Sequence, residues 1–342
     1  CDRLEHLDFF IRPLNIQDDD INCENHDVNK FFASLNNITK HVQAGLTCER
    51  QLDNVIKMAE IIAGGSEELR ENPIISFIAC LFKSPLQIVD DTADKVFEIV
   101  ESGLPLVMSS SPQGGSSAPV QEAGLIAQIN AEILAGVTLV QLIEEGAPVL
   151  YGSVPVRARF DTHNIDCVQM ARYYKVPCYS SAGVGDAKIP GMQATFEKML
   201  TQLFIAMSGP QYIHYAFGLL DRTNTFSPLQ AVLDNEQIGK VKHCLRSPKV
   251  DSSEIKDALK IVKKVMASKN RLFTRHVRKA LHAGDISSPY LFESSGYEDQ
   301  VIERAAKHME NLEAEPAPYL DTEIVTKIFD EVPGILPSLK TT

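Results

Sequence analysis

The sequence predicts an α/β fold of the (β/α)8 TIM-barrel class, with an additional helical segment at its C-terminal end. Three observations carry that expectation. Seven short apolar or β-branched runs lie between Asp8 and Phe217, each bounded by Pro, Gly or Ser. Longer stretches with apolar residues at every third or fourth position alternate with them. After Phe217 the short runs stop and helical periodicity dominates.

The runs, in order, are DFFIRP (8–13), HVQAGL (41–46), PIISFIAC (73–80), PLVMSSSP (105–112), PVLYGSVP (148–155), PCYSSAG (177–183) and QYIHYAF (211–217). Several are apolar throughout, the pattern of strands covered on both faces of a parallel sheet. The intervening stretches 120–145 and 192–207 repeat apolar residues at helical spacing. Seven β–α units in a row fit a barrel whose first unit precedes Cys1. The chain has no initial methionine and runs straight into LDFFIRPL, so an N-terminal part is expected to be absent. A doubly wound open sheet is the alternative, since strand number alone does not separate the two.

The barrel is assigned to residues 1–249, with seven of eight units visible. A helical pattern at 227–246 leads out of it. Residues 250–342 read as a mainly helical extension packed against the barrel, with a helix at 252–268. Pro316 and Pro318 break it before a last helix at 321–331.

An apolar fraction of 44% and a charged fraction of 23% are those of an ordinary globular chain. The net charge of −12, with no dense Lys/Arg cluster, argues against a nucleic-acid partner. No apolar run approaches the roughly 18–20 residues of a membrane span, and no charged-then-apolar leader opens the chain. The seven cysteines, at 1, 23, 48, 80, 167, 178 and 244, are odd in number and never spaced as CxxC. That argues against a disulfide framework and a structural zinc site. Reduced cysteines in the cytoplasm are the expectation.

In barrels the reactive groups sit at the carboxyl ends of the strands and in the loops that follow. After 105–110 comes SSSPQGGSSAP (109–119), which is either a flexible connection or an anion cradle at a helix start. It lacks the GxxxxGK[ST] and GxGxxG patterns, so a nucleotide site is unsupported. After 177–183 comes GVGDAKIPGMQA, where Gly183 permits a close approach or positive φ. Asp186 and Lys188 bracket Ala187; they either cap and pair across the loop or serve chemistry. Cys178 reads as a small core residue rather than a nucleophile.

The run QYIHYAFGLLD (211–221) is the densest aromatic cluster in the chain. Alternation sends Tyr212 and His214 to one face, and Tyr215 and Phe217 to the other. His214 is either a satisfied core histidine or a functional group at a strand's carboxyl end. Aromatic faces around a methylated ammonium would hold it by cation–π attraction, and with no Trp such a cage must use Tyr and Phe. Arg12 and Arg157, each at the end of a run, are either solvated or a fork for a carboxylate.

Together SSPQGGSSAPVQEAGLIAQINAEILAGV (110–137), PVLYGSVPVRAR (148–159), YSSAGVGDAKIPGMQAT (179–195) and YIHYAFGLLD (212–221) resemble the trimethylamine methyltransferase family. The likeness continues through QAVLDNEQIG (230–239) to YLFESSGYED (290–299) and covers most of the chain. It includes the family's members that act on quaternary amines such as glycine betaine. The resemblance implies a (β/α)8 barrel that passes a methyl group from an amine to Co(I) of a corrinoid (cobalamin) held by a separate protein. No cofactor is then bound permanently by the barrel.

Two departures from the family pattern stand out. Archaeal trimethylamine enzymes carry pyrrolysine just before the (S/G)DAK segment, where this chain has Gly183, which points toward a quaternary amine. FDTHNID (160–166) is also shorter than the family's spacing between Asp161 and Asn164, as if chain were missing there. His214, Asp186 and Lys188 are the catalytic candidates, with Asp186 and Lys188 shaping the loop around Gly183. Phe10, Arg12, Arg157, Tyr179, Gly183, Tyr215 and Phe217 are the substrate-binding candidates. The expected partners are a corrinoid protein, a quaternary or tertiary methylamine and further copies of the chain. The rival readings are a barrel lyase using Lys188 for a Schiff base and a non-catalytic betaine-binding protein.

Overall fold

All seven predicted strands form, each trimmed at its ends. The computed structural model describes residues 1–11, 21–155, 163–248, 250–269, 272–283, 298–314 and 320–341. The first half runs β1 (Phe9–Ile11), α1 (His26–Leu35), β2 (His41–Ala44), α2 (Leu52–Ala63), α3 (Ser66–Glu71) and β3 (Ile75–Ala79). A small ribbon of β4 (Phe82–Lys83) and β5 (Gln87–Ile88) precedes α4 (Asp90–Glu101), β6 (Leu106–Ser110), α5 (Glu122–Ile143) and β7 (Val149–Ser153). Then come α6 (His163–Tyr174), β8 (Cys178–Ser181), α7 (Met192–Ser208) and β9 (Tyr212–His214). A second ribbon, β10 (Leu219–Leu220) with β11 (Thr225–Phe226), leads to α8 (Pro228–Leu245).

The main sheet is parallel throughout, in the order β1-β2-β3-β6-β7-β8-β9. Neighbours in the sheet follow chain order without a reversal, which sets aside the doubly wound alternative. The sheet curls as a half-barrel. The expected closed eight-stranded barrel is not formed by the described residues, because no ladder joins β1 to β9. Side chains cross that open edge instead: Phe9 meets Tyr212 edge-on, ring centroids 4.6 Å apart.

Side-chain alternation sorts each strand between two surroundings. Val42, Ile75, Phe77, Leu106 and Met108 pack outward against Val28, Phe31, Val55, Met58, Val96 and Ile99 of the covering helices. Within each helix those residues lie three apart, which is why a single face of each helix is buried. Helix ends follow local chemistry. Gly64 ends α2 in the left-handed region, and Ser227 caps α8 by accepting from Gln230 N–H at 3.2 Å, with Pro228 in the first turn.

α5 is long and apolar enough to cross a membrane by length and composition alone, although it holds no unbroken apolar run. It covers β6 and β7 instead, with Leu125, Ile129, Ile133 and Val140 buried. Beyond Leu245 the chain continues as α9 (Ser252–Met266), α10 (Thr274–His282), α11 (Glu298–Ala314) and α12 (Thr322–Glu331). α12 packs on α2 and α11 on α8. α9 and α10 bury none of their residues, unlike the packed extension expected there.

Candidate active site

The inward face of the sheet carries a group of polar and aromatic side chains, among them His41, Gln43, Ser76, Ser109, Tyr179, Tyr212 and His214. From β9, Tyr212 Oη donates to Gln43 Oε1 at 3.2 Å, reaching across the open edge to β2. Gln43 Nε2 donates to Ser76 Oγ at 3.0 Å, and Ser76 Oγ donates to His41 Nε2 at 2.6 Å. His41 Nδ1–H completes the relay at the Pro73 carbonyl, 2.9 Å away. Each buried polar group in this chain of bonds has a partner, so the interior tolerates them. Tyr179 lies between β7 and β9, fully buried, its hydroxyl 2.6 Å from Ser109 Oγ.

The rings converge on β9. Tyr179 stacks on Tyr212 with centroids 5.0 Å apart, and it meets His214 edge-on at 5.3 Å. Tyr215 stacks on His214 at 3.8 Å, with planes 12° apart. The strand ends at His214, and Tyr215 takes a φ of +65°, so the alternation that puts Tyr215 and His214 on opposite faces stops there. A tyrosine in the left-handed region is strained by about 1–3 kcal/mol, and such positions concentrate at functional sites. His214 is 8% exposed, and its Nδ1 has no hydrogen-bond partner among the described residues. Burial lowers its pKa to about 4, so the ring is neutral at pH 7. Burial pushes the Tyr179, Tyr212 and Tyr215 phenols upward, so they too are uncharged.

Of the predicted site residues, Tyr179, His214 and Tyr215 come together. Phe10 does not: it packs against the helix-facing core, and Phe9, one residue earlier, takes the inward place. A one-residue step changes the face of a strand. Phe217 also leaves the cluster, packing against Leu4, Leu7 and Val232. The pairing of Asp186 with Lys188, one of the two readings of this loop, is not made: Asp186 binds Arg222 at 2.5 Å, while Lys188 Nζ lies 4.0 Å from Asp221. Both Asp186 and Lys188 are exposed. Arg12 and Arg157 lie outside the described residues, as do Asp161 and Thr162 of the shortened segment.

The Gly/Ser loop makes a poor anion cradle. The N–H groups of Ser116, Ser117 and Ala118 all donate to the Gln113 carbonyl, and Gly115 N–H donates to Ala118. Cys178 is buried beside Tyr151 and Cys167, in the core role expected of it.

Buried charges that the sequence reading passed over fix the loops around the rings. Glu132 of α5 is 1% exposed; it accepts from Ser84 Oγ at 2.8 Å, Leu86 N–H at 3.0 Å, Gln128 Nε2 at 3.1 Å, and Ser110 Oγ. Lys198 of α7 and Asp234 of α8 form a buried pair at 3.2 Å. Gly183, with φ +82°, sits in tight space: a Cβ there would lie 3.0 Å from the Tyr215 carbonyl oxygen and 3.1 Å from Ala216 Cα. The signal for Lys198 was present, since 194, 198, 202 and 205 share one helical face and are all buried. Among the described residues, no group of three or more His, Cys, Asp and Glu is placed to hold a metal ion.

The family model of trimethylamine methyltransferase (MTTB) matches residues 9–332. Over 352 residues the chain is 30% identical to trimethylamine methyltransferase MttB of Desulfitobacterium hafniense (strain DSM 10664 / DCB-2), covering 97% of this chain and 70% of that one. It is 31% identical to trimethylamine methyltransferase MttB1 of Methanosarcina mazei, with coverages of 82% and 59%. To the glycine betaine methyltransferase of D. hafniense (strain Y51) it is 26% identical, with coverages of 87% and 65%. The chain thus spans between 59% and 70% of the length of these relatives. A match over nearly the whole chain, on a half-barrel with aromatic rings gathered at one end, makes this protein a member of the trimethylamine methyltransferase family.

Proposed function

We propose that this enzyme moves a methyl group from a quaternary amine, glycine betaine or a related betaine, to the Co(I) form of a corrinoid carried by a partner protein. The observation that carries the reading is the uncharged ring cluster of Phe9, Tyr179, Tyr212, His214 and Tyr215. Aromatic faces attract a methylated ammonium, while a protonated imidazole beside it would repel it. Burial keeps His214 neutral. Arg12 and Arg157 are the candidates for the betaine carboxylate on sequence grounds.

Such a reaction asks for positioning rather than acid–base work. The methyl carbon bonds to cobalt through cobalt's electron pair, and the pair of the breaking C–N bond returns to nitrogen. The leaving group is a neutral tertiary amine, so no proton is delivered. The rings would hold the ammonium in line and exclude water.

The corrinoid is a reactant brought to the carboxyl ends of the strands, not a resident group. An eighth strand between β1 and β9, completing a barrel, belongs to the same reading; the Phe9–Tyr212 contact across the edge supports it. A cytoplasmic homo-oligomer is supported by the free cysteines and by the exposed Met192, Phe196 and Met207 along α7.

Trimethylamine as donor is the second reading, favoured by the names of the relatives at 30–31% identity against 26% for the betaine enzyme. Gly183 weighs against it. The resemblance puts it where trimethylamine enzymes carry pyrrolysine, and its positive φ and a Cβ direction 3.0 Å from the Tyr215 carbonyl oxygen make a side chain there strained. The test is to mix the protein with a Co(I) corrinoid protein and glycine betaine, carnitine, proline betaine or trimethylamine. Absorbance of the methylated corrinoid with a betaine supports the proposal. Methylation by trimethylamine alone selects the second reading, and none with any donor rejects both.

A further inference from the structure

Two loops must hold unusual backbone for His214 and Tyr215 to face each other, and their anchors converge on one buried ion pair. Lys198 Nζ, 3.2 Å from Asp234 Oδ2, also donates to the Gly183 carbonyl at 2.7 Å and to the Leu219 carbonyl at 3.0 Å. It thereby ties the loop after β8 to the loop after β9. Asp234 accepts from Gly218 N–H at 2.7 Å, from Gln230 Nε2 at 2.8 Å and from Gln237 Nε2 at 3.1 Å. Around the pair, Gln202 Nε2 holds the Ala216 carbonyl at 2.9 Å, and Thr201 Oγ1 accepts from Gly183 N–H at 3.0 Å. The positive-φ Tyr215 therefore sits in a segment whose next members, Ala216, Gly218 and Leu219, are each bonded to α7 or α8. A carbonyl needs no ammonium to be satisfied, and two buried charges are a costly way to join two helices. Two carbonyls from separate loops on one Nζ are a positional device.

We infer that Lys198 and Asp234 are positioning residues which lock Tyr215 face-on against His214 by clamping the two loops together. Neither touches the rings; they act through Gly183, Gly218 and Leu219. The inference deepens the proposed function and rests on it only for what the locked rings are for.

The experiment separates the two. The chain has nine His and no Trp, so the His214 Cε1–H resonance, assigned by its loss in His214→Asn, can be followed by NMR, and tyrosine fluorescence reports ligand binding. In the wild-type chain, stacking against Tyr215 shields that proton. Lys198→Met and Asp234→Asn are each expected to shift it downfield and to weaken tetramethylammonium binding by about tenfold. Lys198→Arg, which keeps the charge, restores much of both. Asp234→Asn preserves the shape and an acceptor for Gly218, and it carries the test should Lys198→Met fail to fold. A folded variant with an unmoved His214 resonance overturns the inference. A shielded His214 in a wild-type chain that binds no ammonium leaves the clamp standing and rejects the cage.

Discussion

Tyr212 and Phe9 belong to strands at opposite ends of the sheet order, yet their rings meet edge-on at 4.6 Å. The same tyrosine bonds to Gln43, 169 residues away, so one side chain spans the open edge by both ring and hydroxyl. Tyr212→Phe keeps the ring but leaves the buried Gln43 carbonyl without its donor. The expected loss is about 1 kcal/mol of unfolding free energy with ammonium affinity retained. Tyr212→Ala removes the ring as well, and is expected to cost about 3–5 kcal/mol and to abolish ammonium binding. Urea denaturation and calorimetric titration check both, and equal losses in the two variants would contradict the assignment.

His214 makes the site and the fold sensitive to acid in one direction. Its pKa lies at about 4 in the folded protein, against an ordinary value of 6.5, so the unfolded chain binds the extra proton between those values. Stability contributed by the neutral ring is complete above pH 6.5 and declines as pH falls toward 4, by on the order of 3 kcal/mol in all. Ammonium affinity follows the folded value: constant down to about pH 5, then falling as the ring gains charge. In His214→Phe this fall should vanish, which denaturation and binding series across that range would reveal.

Glu132 holds the β4–β5 ribbon to the end of β6 through Ser84, Leu86 and Ser110. Glu132→Gln turns one acceptor into a donor that faces donors. The expected loss is about 2 kcal/mol, with faster hydrogen exchange at the Leu86 amide. Exchange at Leu86 that stays at the wild-type rate would show that the ribbon is held by something else.

Asp186 and Lys188 stand exposed on the loop after β8, paired with Arg222 and close to Asp221. Exposed pairs contribute little. Asp186→Asn and Lys188→Ala are expected to retain methyl transfer within about twofold. Borohydride treatment with carbonyl compounds should leave no adduct on Lys188. Loss of transfer in either variant would return these residues to the chemistry.

Strand positions, helix spans and the place of His214 were legible because hydrophobic period and turn residues are local signals. Pro228 and Ser227, for example, announce α8 unaided. Which face Phe9 or Phe10 presents was not legible, since both are phenylalanines and only tertiary packing fixes a strand's register. That Tyr215 stacks on His214 was not legible for a different reason: the strand ends at His214, and the segment beyond it is held by Gln202 and Asp234, which are distant in sequence. The buried charges gave no sequence signal of their own, because Lys and Glu usually lie at the surface, and only partners from other segments make Lys198 and Glu132 tolerable inside.

The Lys198–Asp234 pair also sets an order of assembly. The strands carrying Tyr179 and His214 lie ahead of Asp234, and the loops that follow them are tied to α7, but Lys198 has no counter-charge and Gly218 N–H no acceptor until α8 docks. A nascent chain that has delivered β9 and not yet α8 would hold the sheet without the full clamp on its two loops. Ammonium binding is therefore expected to appear only in chains in which α8 has docked.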